Sequence, residues 1–305
     1  MASAGVTTPG GTGYESAPNE LQKQTYPLRH DPRFFDPGWQ RPGSGTWTGH
    51  AITPVANPVF FESPLIQNEV RPIFAWHRLD KDFLGVDANV RLYALQLRYA
   101  INDRLAIIAT KDGYIEFDPE GVPGHSGWAD IAAGIKYALY RNDDKQAMIT
   151  PGFTFEIPTG NERVFQGNGK GEANVFVSAT KGYGDLHLTA NLGGRIPVDW
   201  DAETASIRYC GMIDYYICRW FIPFATINAF TTLSEGNAMP FNSEGFDLIN
   251  FGSENAGGRT QAAWGVGFRS RLHHALDFGF AYERGFTPTD DIFYDRFTFD
   301  FSWRY

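Results

Sequence analysis

The sequence predicts an all-β fold: a twelve-stranded antiparallel transmembrane β-barrel over residues 69–305, preceded by an irregular N-terminal extension over residues 1–68. Three observations carry that expectation. Beyond residue 68 the chain is a succession of stretches of about ten residues in which apolar and polar side chains alternate, the length a tilted strand needs to cross a bilayer. The connections between these stretches alternate between short and long. The last stretch, FTFDFSWRY, places Phe297, Phe299, Phe301, Trp303 and Tyr305 on one face of a strand, and Thr298, Asp300, Ser302 and Arg304 on the other.

The extension is rich in Gly, Pro, Ser and Thr and has no sustained period, so it predicts extended, irregular structure. Its aromatics, Tyr26, Phe34, Phe35, Trp39 and Trp47, argue for docking, because chains that stay disordered are poor in such residues. Three placements are open to it: threaded into the barrel as a plug, laid along the periplasmic mouth, or projecting to a periplasmic or cell-wall partner.

Strands are expected at 69–78, 89–101, 104–117, 128–141, 145–158, 171–182, 185–197, 205–217, 219–232, 258–272, 274–285 and 292–305. The short connections are NDR, RNDDKQ, KGYGD, CR and LHH; the long ones include HRLDKDFLGVDA, PTGNERVFQGNGKG and LSEGNAMPFNSEGFDLINFGSENAGG. Short turns on one side and long loops on the other are the rhythm of an outer-membrane barrel, and an even strand count puts both barrel ends on the short-turn, periplasmic side. Within strands, Tyr93, Leu95, Leu97 and Tyr99 alternate with Ala94, Gln96 and Arg98, and Leu276, Phe278, Phe280 and Tyr282 alternate with Asp277, Gly279, Ala281 and Glu283. A soluble β-sandwich also alternates. It does not require the turn rhythm, whereas a sheet in lipid must close on itself to satisfy every backbone group.

Composition excludes several function classes. The net charge of −9 and the lack of a clustered basic stripe argue against nucleic acid. No run of about 18 apolar residues can form a transmembrane helix. The N-terminus lacks the basic and apolar regions of a secretory signal, which is expected to have been removed. Cys210 and Cys218 lie too far apart along one strand to pair, and with no neighbouring ligand they indicate neither a metal site nor a cofactor.

With the apolar faces toward lipid, the inward positions include Arg71, Arg98, Lys136, Glu156, Arg195, Arg208, Asp214, Arg269, Asp277, Glu283, Asp300 and Arg304. Ionisable groups at membrane depth need water or one another, so this set either lines an aqueous path or fills the lumen with ion pairs. Lys111 and Asp112 interrupt an apolar strand, as part of a constriction or as a bulge with a local ion pair. The glycines of FQGNGKGE permit that loop to fold into the lumen, carrying Arg163, Lys170 and Glu172. Asp80, Asp82 and Asp87 could hold calcium, although their spacing fits no complete loop motif. A lipid-facing Ser-His pair would make an enzyme, but only His77 and His125 fall near the outer rim and no serine is evidently beside either, so no enzyme is expected.

The terminal FTFDFSWRY resembles the insertion signal of bacterial outer-membrane barrels, which the barrel-assembly machinery reads. IATKDGYIEF, WADIAAGIKYAL, FTFEIPTG and FQGNGKGE are similar to small barrels of the phenol-pathway, hydrophobic-compound transporter type. The resemblance implies an outer-membrane channel or transporter for passive passage of small solutes, with hydrophobic ones among the classes open to it. The alternative is a non-conducting structural or docking barrel plugged by its own extension.

Overall fold

A computed structural model describes residues 47–79, 81, 85–287 and 294–305. Tyr26, His30, Phe34, Phe35, Trp39, Asp80 and Asp82 therefore lie outside the described residues.

Fifteen strand segments form one closed antiparallel sheet. In chain order they are β1 (Glu69–Leu79), β2 (Ala88–Ala100), β3 (Leu105–Lys111), β4 (Tyr114–Pro119), β5 (His125–Trp128), β6 (Ile131–Tyr137), β7 (Tyr140–Asn142) and β8 (Ala147–Ile157). There follow β9 (Glu172–Tyr183), β10 (Leu186–Pro197), β11 (Ser206–Tyr215), β12 (Ile222–Thr232), β13 (Thr260–Arg271), β14 (Leu276–Gly285) and β15 (Asp295–Arg304). Segments β3 and β4 share one stave and β5 to β7 share another, which makes twelve staves. Pairing of β1 with both β2 and β15 closes the ring, with Glu69 opposite Arg304 at the short-turn end. No edge is left for another chain or for water to satisfy, as a hydrocarbon environment demands.

The two faces of the sheet differ in the way alternation predicts. Tyr93, Leu95, Leu97 and Tyr99 of β2, Val175 and Val177 of β9, and Phe301, Trp303 and Tyr305 at the C-terminus all expose their side chains on the outer surface. A belt of this kind is stable against lipid, where apolar contact costs nothing and an unpaired backbone group costs several kcal/mol. On the inner face the ionisable side chains are buried, while strand charges such as Arg91 and Glu116 lie on the outer face.

One stave breaks the rhythm. The register shifts between Ala109 and Lys111, so Thr110 and Lys111 are both buried; Ala106 and Ile108 face inward along β3, but Ile115 does so along β4. The break is held by Gly113, at φ +122°, where a Cβ would come within 2.4 Å of the Tyr93 carbonyl oxygen. Only glycine fits both the dihedral and the approach.

Residues 47–68 form a finger inside the barrel. It enters at the short-turn end, where Trp47 Nε1 donates to Asp143 Oδ1 (3.1 Å) and the His50 ring bonds Asp185 (2.9 Å). It reverses at Asn57, whose φ is 47° and whose carbonyl accepts the Phe61 N–H at 2.9 Å. The return limb is tied to the outgoing one by Gln67 Nε2 donating to Thr53 Oγ1 (3.3 Å), and it runs directly into β1. Val55, Ala56 and Phe61 pack there against Cys210, Met212, Ile222, Phe224 and Ala281 of the wall.

The long-loop end is covered from the other side. Residues 233–259 fold inward and bury Phe246, Leu248, Ile249 and Phe251 against Ala75, Val90, Leu92 and Ile115. Glu244 braces this loop by accepting the backbone N–H groups of Phe251 (2.7 Å) and Ser253 (2.8 Å). The glycine-rich 158–171 loop joins it: Asp130 accepts the N–H groups of Gly160 (2.8 Å) and Gly167 (2.9 Å), and Gln166 donates to the Leu248 carbonyl (3.1 Å).

Candidate functional site in the barrel lumen

The inward charges form a stack of ion pairs along the barrel. Near the short-turn end, Arg304 and Arg271 share Asp277, and His187 bonds Asp214 at 2.8 Å. Next, Asp300 receives Arg71 Nε at 2.7 Å and Arg269 Nη1 at 2.9 Å, while the same two arginines donate to the finger carbonyls of Pro54 (2.7 Å) and Thr53 (3.0 Å). Farther along, Lys111 pairs with Glu156, Arg195 with Glu172, and Arg296 with both Glu283 (2.9 Å) and Asp247 (2.6 Å). Removing one member of such a pair leaves an uncompensated buried charge, a loss of about 3–5 kcal/mol.

The finger is part of this network. Glu62, 2% exposed, takes Arg98 Nε at 2.9 Å, Arg98 Nη2 at 2.6 Å and Lys136 Nζ at 2.7 Å. Arg98 also bonds Glu69 at 3.0 Å; Lys136 has no other carboxylate among the described residues. Backbone carbonyls of the finger absorb further wall donors: Gln96 reaches Pro58 (2.8 Å), Ser178 reaches Glu62 (2.6 Å) and Thr150 reaches Pro64 (2.8 Å). Every buried donor satisfied in this way would otherwise cost about 1–3 kcal/mol. Two cavities beside Val59, one lined by Leu92, Gln96 and Thr110 and the other by Phe60, Thr154 and Asn174, have volumes of about 10 Å³ each, the size of a single water.

Two features bridge the finger and the outer loop. Arg195 donates to the Ile249 carbonyl at 3.2 Å and its guanidinium lies 5.4 Å from the Phe60 ring. Val59 and Phe60 belong to the same apolar cluster as Leu248 and Ile249. Above them, the loop 198–205 buries Glu203, one of whose carboxylate oxygens has no hydrogen-bond partner. Burial, with Glu172 adding like charge, pushes its carboxyl up to about 8, and burial also raises that of Glu244.

All of Arg71, Arg98, Lys111, Lys136, Glu156, Arg195, Arg208, Asp214, Arg269, Asp277, Glu283, Asp300 and Arg304 have buried side chains on the inside of the barrel. Asp112 is placed differently. Its carboxylate accepts the Leu95 N–H at 2.7 Å, replacing the ladder bond that the bulge removes. Of the loop charges, Arg163 and Lys170 are exposed, with Lys170 paired to Asp199 at 2.8 Å, and only Glu172 lies in the interior. Asp87 is exposed and accepts the Lys81 N–H at 3.1 Å. His77 is buried and His125 exposed, and both cysteines are free, Cys210 buried beneath Asn57 and Cys218 exposed.

Sequence reasoning missed Glu62, Glu69, Arg271, Arg296 and Asp247. Arg296 shares the parity of Thr298 and Asp300, and Glu69 that of Arg71, so strand phase could have found both. FFESP and the loop around Asp247 have no period to carry such a signal.

No family model matches the chain, and no curated protein matches it. Among solved structures, an outer membrane channel from Pseudomonas putida F1 superposes with a TM-score of 0.61 at 10% identity, covering 84% of this chain and 100% of the other. The NanC porin gives a TM-score of 0.50 at 9% identity, covering 78% of this chain and 100% of the porin. At such identities these likenesses establish the fold, a closed twelve-stranded barrel, and nothing finer.

Proposed function

We propose that this protein is a bacterial outer-membrane channel for passive passage of small solutes, and that residues 47–68 hold it shut in the state described. One observation carries the reading: the wall is lined with charges of both signs, yet part of their pairing is supplied by a segment that is not part of the wall, through Glu62 and the carbonyls of Thr53 and Pro54. A barrel meant only as a structural body needs no partner from a segment that enters by one mouth. The outward belt and the aromatic terminus support insertion in the outer membrane, with Phe297, Phe299, Phe301, Trp303 and Tyr305 as the assembly signal. The apolar strip of Ala75, Val90, Leu92 and Ile115 under the outer loop suits solutes with an apolar part.

A second reading is favoured by the completeness of the pairing: a permanently filled barrel serving as a structural or docking protein, with residues 1–46 available to a periplasmic or cell-wall partner. Planar-bilayer recordings separate the two. A channel gives discrete conductance steps from the full chain, with longer openings after Glu62→Gln; refolded protein silent in both forms means the filled barrel.

A further inference from the structure

We infer that the opened lumen selects small anions, carboxylates and other oxyanions among them, over cations and neutral solutes. The inference names the solute class of the channel proposed above and rests on that reading.

The basis is where the buried charges stand. All ten arginine and lysine side chains that are buried among the described residues belong to wall strands and face the lumen. The same strands turn seven buried carboxylates inward, and Asp130, between β5 and β6, makes eight; Asp295 is buried on the outer side beneath Arg78. The wall alone therefore holds two more cations than carboxylates. The other buried carboxylates belong to the closures, Glu62 to the finger and Glu203, Glu244 and Asp247 to the outer loops, and neither closure buries an arginine or lysine among the described residues. Withdrawal of either closure takes acid out of the lumen and no base.

The excess is spread along the path, with no single site gathering it. Near the short-turn end Arg271 and Arg304 share Asp277, and beyond them Arg71 and Arg269 share Asp300. Lys136 loses its only carboxylate among the described residues when Glu62 leaves. Arg208 has none in either state: it is 3% exposed, its Nε and Nη1 have no hydrogen-bond partner, and its Nη2 reaches only the side chain of Asn174. Idle buried donors of this kind are unfavourable, and a passing anion relieves them. Lys136 and Arg208 stand four strand spacings apart around the wall, so they act on an ion in transit from different sides.

The finger's own contacts agree with this. Asn57 apart, residues 51–65 meet the wall as acceptors: besides the Glu62 carboxylate, the carbonyl of Thr53 receives Arg269 (3.0 Å), that of Pro54 receives Arg71 (2.7 Å) and that of Ser63 receives Lys136 (2.8 Å). A cation entering in the finger's place meets like charge, and a neutral solute leaves the excess uncompensated. A small oxyanion supplies both the charge and the acceptors.

The test is the zero-current potential of refolded full-length protein in a planar bilayer under a steep gradient of potassium chloride, then of potassium acetate. The expected chloride-to-potassium permeability ratio is about ten, the low end of the counter-ion enrichment that a cleft of one sign produces, and acetate is likewise expected to pass in preference to potassium. Arg208→Gln removes one of the two excess charges without stranding a carboxylate and should lower the ratio about twofold, whereas Arg208→Lys should keep it. A ratio near one, or one in favour of potassium, overturns the inference and leaves the channel standing; a ratio indifferent to Arg208→Gln overturns the charge excess as its cause. Silence of the folded wild-type protein in both salts refutes the channel itself, and the selectivity falls with it.

Discussion

Asp300 illustrates how much one residue can carry inside this barrel. Among the described residues it is the one carboxylate paired with both Arg71 and Arg269, which come from β1 and β13, so Asp300→Ala strands two buried guanidinium groups at once. The expected loss is about 3–5 kcal/mol, read as a lowered urea midpoint for the refolded protein in lipid vesicles. Glu62→Gln strands Lys136, whose only carboxylate among the described residues is Glu62, while Arg98 keeps Glu69; the finger-in state should lose stability and Cys210 should become more reactive. That Arg71 would face inward was legible from parity. Its partner was not, because Arg71 and Asp300 are 229 residues apart and a single sequence does not state which strands close the ring. The same holds for Arg208, whose inward position follows from alternation but whose lack of a carboxylate emerges only once the register of β9, β10 and β11 is known.

Loops and strands fail differently under stress. The outer closure depends on Glu203 being uncharged: with its carboxyl raised from 4.5 to about 8, its contribution is fully present below pH 4.5 and is lost as pH rises through about 8. Hydrogen-exchange protection of residues 198–205 and 241–253, after correction for the intrinsic base-catalysed rate, should therefore fall between pH 4.5 and about 8, and Glu203→Gln should flatten that fall; an unchanged protection profile in the variant would contradict the assignment. In the wall, Gly113→Val should disrupt the bulge, costing more than the roughly 1 kcal/mol of a glycine in an ordinary strand, because the Tyr93 carbonyl blocks the new side chain. Strand number, order and phase were legible because a barrel in lipid repeats one rule along every stave. Both interrupted staves are predicted as single strands; for the first, a bulge at Lys111–Asp112 is one of the two readings of its charged interruption, and the register shift between Ala109 and Lys111 agrees with it. The finger was open to three placements for the opposite reason: a segment that satisfies wall donors with backbone carbonyls leaves no pattern in its side chains.

At the scale of the whole molecule, the barrel is a rigid wall with two closures, an inner finger and an outer loop, joined through Arg195, Phe60 and Ile249. Shortening the aromatic terminus by Trp303–Tyr305 should lower the yield of folded barrel in the outer membrane, measured by heat-dependent gel mobility, without altering the finger. The central claim is that the finger gates the lumen, and the contact of Asn57 Nδ2 with Cys210 Sγ at 3.4 Å supplies the means to test it. In a Cys218→Ser background, Asn57→Cys places a second thiol at the fingertip against Cys210, and single-channel conductance is recorded before and after reduction of the resulting disulfide. The account predicts silence when oxidised and stepwise conductance when reduced. Equal conductance in both states, with the disulfide verified, would contradict it.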